Sequence, residues 1–141
     1  MRTSVNSNTP FGTNVTRKTI VFNGSAAATR TLFTISGFVC VDFFVRCTAS
    51  CGSVDLIPNI CLGITGTTNY FIADTDVNTL TTNELWYDTS PTTTIDLTGT
   101  ALFDYVLSNT AIVLDEKGII ASGTLEFICF WTPLSFGASV T

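Results

Sequence analysis

Hydrophobic positions along this chain recur with a period of two, in short blocks separated by turn residues. The blocks "VTRKTIVF", "RTLFTIS", "FVCVDFFVRC", "SVDLIPNICLGIT", "NYFIA", "ELWYD", "TTIDL", "FDYVLS", "AIVLDEK" and "GTLEFICFWTPLS" are each strand-sized. Between them stand the breakers "NGS" at 23, "SCGS" at 50, "TGTTN" at 65, "TSP" at 89, "TGT" at 98, "EKG" at 116 and "SG" at 122. Glycine, proline and short polar residues supply the backbone conformations that reverse a chain. No block shows the 3.6-residue recurrence of an amphipathic helix. Many closely spaced strands predict an all-β fold, an antiparallel β-sandwich of jelly-roll type, rather than βαβ units. Residues 1–14 read as an extended polar N-terminal arm and 15–141 as a single sandwich domain.

Two blocks carry more apolar surface than one core requires. In "FVCVDFFVRC" one face holds Val39, Val41, Phe43, Val45 and Cys47, and the other holds Phe38, Cys40, Asp42, Phe44 and Arg46. In "TLEFICFW" one face holds Leu125, Phe127, Cys129 and Trp131, and the other Thr124, Glu126, Ile128 and Phe130. Alternate side chains of a strand point to opposite faces, so a sandwich buries only the first set against the opposing sheet. The second set needs its own cover, since an exposed apolar patch of that size is what monomers avoid. Either the arm or a long loop folds over it, or a second subunit does. The favoured expectation is an oligomer contact through Phe38, Phe44, Ile128 and Phe130, with Asp42, Arg46 and Glu126 pairing at its edge.

Composition agrees with a folded β domain. Of 141 residues 45% are hydrophobic, 11% aromatic and only 12% charged, about half the usual charged share of roughly 25%. Threonine, valine, isoleucine and phenylalanine suit a pleated surface. The net charge is -5 and the six lysines and arginines are scattered, which argues against a nucleic-acid partner. The longest apolar runs are strand-sized, short of the roughly 20 residues a spanning helix needs, so no membrane partner is expected. The start "MRTSVNSNTPFGTN" lacks the apolar centre of a secretion signal, and the expectation is synthesis and use without export. The sequons "NVT" at 14 and "NGS" at 23 would then not meet a glycosylation machinery.

Catalytic signatures are missing. The chain has no histidine, which removes the commonest general base and metal ligand along with Ser-His-Asp and Cys-His arrangements. GxSxG, GxGxxG and Walker patterns are absent, and the carboxylates are dispersed beside turns with nothing to specify a glycosidase pair. No enzyme activity and no cofactor are expected. One candidate ligand loop remains, Asp74, Asp76 and Asn78, which opens like a calcium loop. It then has Thr79 where the pattern needs glycine and Leu85 where it needs glutamate, so a solvated turn is the favoured reading and no metal is assigned. Trp86 and Tyr87 lead into the next turn. Exposed there, they would stack on a saccharide, although core packing is the better reading of aromatics at this density.

The five cysteines, Cys40, Cys47, Cys51, Cys61 and Cys129, read as reduced, buried thiols acting as small hydrophobes. Cys47 and Cys51 flank "TAS" and meet only if the local backbone brings them within bridging geometry. A zinc site has neither a CxxC pair nor a histidine to start from.

The polar arm, "VDFFVRCTASC", "NELWYDTSP" and the closing "SGTLEFICFWTPLSFGA" together resemble a group of small structural proteins of tailed bacteriophages. The likeness lies in a final strand ending in an aromatic followed by x-PLS and a central segment of the pattern D-x-N-E-hydrophobic-W before a turn, which this chain carries as Asn83-Glu84-Leu85-Trp86 with Thr81 at the aspartate position. It covers roughly residues 28–138. What the resemblance implies is a virion component made in the bacterial host cytoplasm, a capsid decoration (cement) protein on the outer surface of the head. Such proteins assemble as compact β homotrimers and take the major capsid protein as partner. In that setting the arm is expected to contact the capsid through Arg2, Phe11, Arg17 and Lys18, half the positive charge lying in the first 18 residues. The competing expectation is a receptor-binding or fibre-tip module whose Trp86–Tyr87 loop contacts host saccharide.

Overall fold

Residues 14–56, 58–94 and 105–141 are described by a computed structural model of the chain. Their strands are β1 (Asn14–Val21), β2 (Thr29–Ser36), β3 (Phe38–Ser53), β4 (Asn59–Ile64), β5 (Thr67–Asp76), β6 (Tyr105–Ser108), β7 (Ala111–Glu116), β8 (Ile120–Pro133) and β9 (Ser139–Val140), with one 3₁₀ turn at Val77–Thr79. They build a four-stranded sheet in the order β1-β8-β3-β6 and a five-stranded sheet in the order β5-β4-β7-β2-β9, all pairings antiparallel. Each sheet interleaves strands from the two halves of the chain, which is the double Greek key of a jelly roll. The sandwich expected from the hydrophobic pattern is therefore the fold.

Alternation decides which residues enter the core. From β3 come Val39, Val41, Phe43, Val45 and Cys47, from β8 Leu125, Phe127 and Cys129, and from the facing sheet Phe33, Ile35, Ile60, Leu62, Ile112 and Leu114, all buried. Cross-strand register locks this choice, because a one-residue slip would turn each set outward. Val45 lies opposite Phe127 and Phe43 opposite Cys129. Each fully buried side chain of this size contributes about 1.5–3 kcal/mol relative to exposure.

Chain reversals follow the breakers. The β4–β5 hairpin turns on Thr65 and Gly66, where Gly66 has φ +88°. At Gly37 the chain leaves one sheet and enters the other through a single residue. Its φ is +71°, and a Cβ there would stand 2.8 Å from Ser135 Oγ and 3.0 Å from Ala138 Cβ. Only glycine meets both the left-handed backbone and the close approach of the loop after β8. β1 begins at Asn14, the expected last residue of the arm. Arg2 and Phe11 lie outside the described residues. Arg17 and Lys18 belong to β1, a strand paired with β8, not to an arm.

Among the described residues, every buried side-chain nitrogen and oxygen has a hydrogen-bond partner. Trp86 sits in the connection after the 3₁₀ turn, fully buried, and its Nε1 donates to Thr75 Oγ1 at 3.0 Å. Backbone bonds from Trp86 N to Val45 O (2.9 Å) and from Cys47 N to Glu84 O (2.8 Å) zip that connection onto β3. It continues the four-stranded sheet beyond the short β6, which pairs only with Phe38–Val41.

Candidate functional site

The outer face of the four-stranded sheet is where the second set of apolar side chains lies. Register places Val15, Phe130 and Asp42 in one row, Arg17, Ile128 and Phe44 in the next, and Thr19, Glu126 and Arg46 in a third. A fourth row holds Thr132, Cys40 and Val106. Phe44 and Phe130 stack edge to face, ring centroids 6.0 Å apart at 86°, a favourable geometry for two aromatic quadrupoles. Phe44, Ile128 and Phe130 are half-buried. Val15, Phe38 and Val106 are 48%, 53% and 56% exposed.

The expected edge charges divide. Glu126 accepts from Arg46 Nη2 at 3.0 Å through Oε2 and from Arg17 Nη1 at 2.9 Å through Oε1. Hydrogen bonding from Arg46, which outweighs the effect of burial, holds this carboxyl below the usual carboxylate range, and Arg17 adds to it. Asp42, by contrast, is 1% exposed. Its carboxylate is not offered at an edge, and the expectation that it pairs there with a second subunit is corrected by burial within one chain. Cys40 beside it is buried as well. Arg46 and Glu126 need no second subunit either, since they satisfy each other across β3 and β8.

Sequence reading missed Val15 and Val106 as members of this face, although the period of two in "NVTRKTIV" and "YVLS" carries both. It also missed the end of the sheet. The loop after β8 exposes Leu134 and Phe136 and is tied to Phe38: Leu134 N donates to Phe38 O at 2.8 Å, and Phe38 N to Ser135 Oγ at 3.0 Å. Apolar surface thus runs from Val106 through Phe38 to that loop.

The candidate ligand loop is a structural turn. Lys117 Nζ donates to both oxygens of Asp74, at 2.7 and 2.9 Å. Asp76 caps the 3₁₀ turn by accepting from Asn78 N at 2.9 Å, and Asn78 Oδ1 accepts from Ser53 N at 3.1 Å. The three side chains are spent on three different partners and do not converge. Among the described residues no group of three or more Cys, Asp or Glu is arranged to hold a metal ion. Trp86 is buried, so its ring is not a stacking platform, and Tyr87 packs half-buried against the core. The exposed aromatic nearby is Tyr70, whose ring lies 5.9 Å from that of Tyr105 and 5.2 Å from that of Phe71. Burial first, and then the neighbouring Tyr70, push the Tyr105 hydroxyl up from its ordinary pKa.

Comparison with protein-family models, with curated proteins and with solved structures finds no match to this chain.

Proposed function

We propose that this protein is a structural component of a tailed-phage virion, a decoration (cement) protein that binds the outside of the head and stabilises the shell without catalysing a reaction. The observation that carries the reading is the outer face of the β1-β8-β3-β6 sheet, with Val15, Phe38 and Val106 exposed beside half-buried Phe44, Ile128 and Phe130. Its occupant in this proposal is a second copy of the chain. A contact between copies has an apolar centre and a polar rim, and the Arg17–Glu126–Arg46 cluster supplies such a rim, its carboxylate already paired within each subunit. Association as a homotrimer would remove the face from water and leave the threonine-rich turns outside.

The major capsid protein is the second partner in this reading, engaged by residues 1–13 with Arg2 and Phe11. That segment precedes β1 in the sequence. The receptor-binding alternative loses its best aromatic, because Trp86 is buried.

Quantitative mass spectrometry of purified particles tests the proposal through the ratio of this chain to the major capsid protein. A ratio near one, or a fixed simple fraction, supports lattice decoration. A handful of copies per particle overturns it in favour of a vertex, portal or tail position.

A further inference from the structure

Cys47 and Cys51 both lie on β3 and have the same parity. In a regular strand four residues would separate their Cα atoms by about 13 Å, far beyond the roughly 4.4–6.8 Å that a disulfide spans. β3 is not regular there. Between Cys47 and Gly52 its partner advances only from Leu125 to Ser122, with register shifts after Cys47 and after Ala49. The extra residues coil the strand and bring both thiols onto one acceptor: Ala49 O accepts from Cys47 Sγ at 3.1 Å and from Cys51 Sγ at 3.9 Å. The facing strand gives way to these thiols. Gly123 has φ +121°, and a Cβ there would stand 2.6 Å from Cys51 Sγ.

We propose that Cys47 and Cys51 form a dithiol site that closes to an intramolecular disulfide when a small oxidant reaches it. The bulge then becomes covalently fixed, and with it the strip that hangs on its backbone, through Cys47 N to Glu84 O (2.8 Å), Asn83 N to Cys47 O (2.8 Å) and Cys51 N to Leu80 O (2.9 Å). The inference is independent of the virion reading.

With hydroxyethyl disulfide as oxidant the step balances. The Cys51 thiolate attacks one sulfur of the reagent and releases one mercaptoethanol; Cys51 is the more accessible, with 7% exposure against none for Cys47. The Cys47 thiolate then attacks the Cys51 sulfur and releases the second. Two protein S–H bonds are lost and one S–S bond forms, while the reagent's S–S bond is reduced and takes up both protons. Burial pushes both thiols up, Cys51 to about 12. Closure is therefore slow at neutral pH and accelerates about tenfold per pH unit through pH 10, where an ordinary thiol has already levelled off.

The test incubates the folded full-length chain with hydroxyethyl disulfide, blocks remaining thiols in denaturant, and reads intact mass and peptide linkage. The expected product is lighter than the reduced chain by two hydrogens, with three of the five thiols blocked and the bond mapped to Cys47–Cys51. Hydrogen exchange at Asn83 and Cys51 should slow on closure. Cys61→Ser should leave closure unchanged, and Cys47→Ser should abolish it. Should Cys47→Ser not fold, the wild-type peptide map decides alone. Five blocked thiols, a bond to Cys40, Cys61 or Cys129, or a mixed disulfide that persists would each overturn the proposal.

Discussion

The carboxylate of Glu116 on β7 lies 2.6 Å from Nε of Arg30 on β2, with a second bond of 3.3 Å from Nη2 to the other oxygen. Glu116 faces inward, opposite Ile60, and its side chain is 2% exposed, while Arg30 keeps one flank in water. The forked guanidinium therefore closes one end of the sandwich over an otherwise buried charge.

Removing only the cation leaves that charge in a dry site. Arg30→Ala is expected to cost about 3 kcal/mol. The double change Arg30→Ala with Glu116→Leu should recover much of this, since no charge is then left uncompensated. Urea unfolding at pH 7 of the two variants and the wild type checks the order.

Thr75 serves Trp86 in the same sense. Thr75→Val keeps the shape but removes the acceptor of the indole N–H, at an expected cost of about 1–3 kcal/mol. Thr75→Ser retains the oxygen and should cost less than half as much. The same unfolding curves measure both, and tryptophan fluorescence reports whether the ring stays buried.

Sequence patterning reached the fold because its decisive signal is local. Alternation in "FVCVDFFVRC" separates Val39, Val41, Phe43 and Val45 from Phe44 and Arg46, and every one of the first set is in the core. What alternation does not encode is pairing between distant segments. The β1-β8-β3-β6 order depends on contacts between distant segments, from Val41 opposite Tyr105 to Asn14 opposite Trp131. Trp86 was legible as an aromatic before a turn, yet its burial depends on the connection zipping onto β3. Asp42 shares its outward parity with Arg46, yet it is buried and Arg46 is not, a difference no strand period contains. The approach of Cys47 to Cys51 needed two register shifts that follow from packing against β8.

Acid should weaken the outer-face cluster in a direction set by Glu126. Its carboxyl is held below the ordinary range near ~4.3, chiefly by hydrogen bonding from Arg46. A lowered folded-state pKa contributes stability that is complete above the ordinary value and disappears as pH falls through the folded value. Both arginines are more than half exposed, so the contribution at pH 7 is at most about 1 kcal/mol and shrinks with salt. Glu126→Gln should therefore be less stable than wild type by that amount at pH 7. The two should converge towards pH 2, and the measurement is denaturant unfolding of both across that range.

Self-association gives the most direct reading of the outer face. Phe38 and Val106 stand on adjacent strands two register positions apart and are both more than half exposed. Placing a lysine at either position costs the monomer little, within about 0.5 kcal/mol, because no buried contact is lost. In an apolar interface the same lysine must be desolvated without a partner, so Phe38→Lys or Val106→Lys should raise the dissociation constant at least about tenfold. Leu56→Lys is the control: Leu56 is fully exposed but follows the far end of β3, and oligomerisation should survive it. Sedimentation velocity over a concentration series reads all three. If the wild-type chain is a monomer at every concentration, or if Leu56→Lys dissociates it as well as Phe38→Lys does, the contact between copies does not lie on this face.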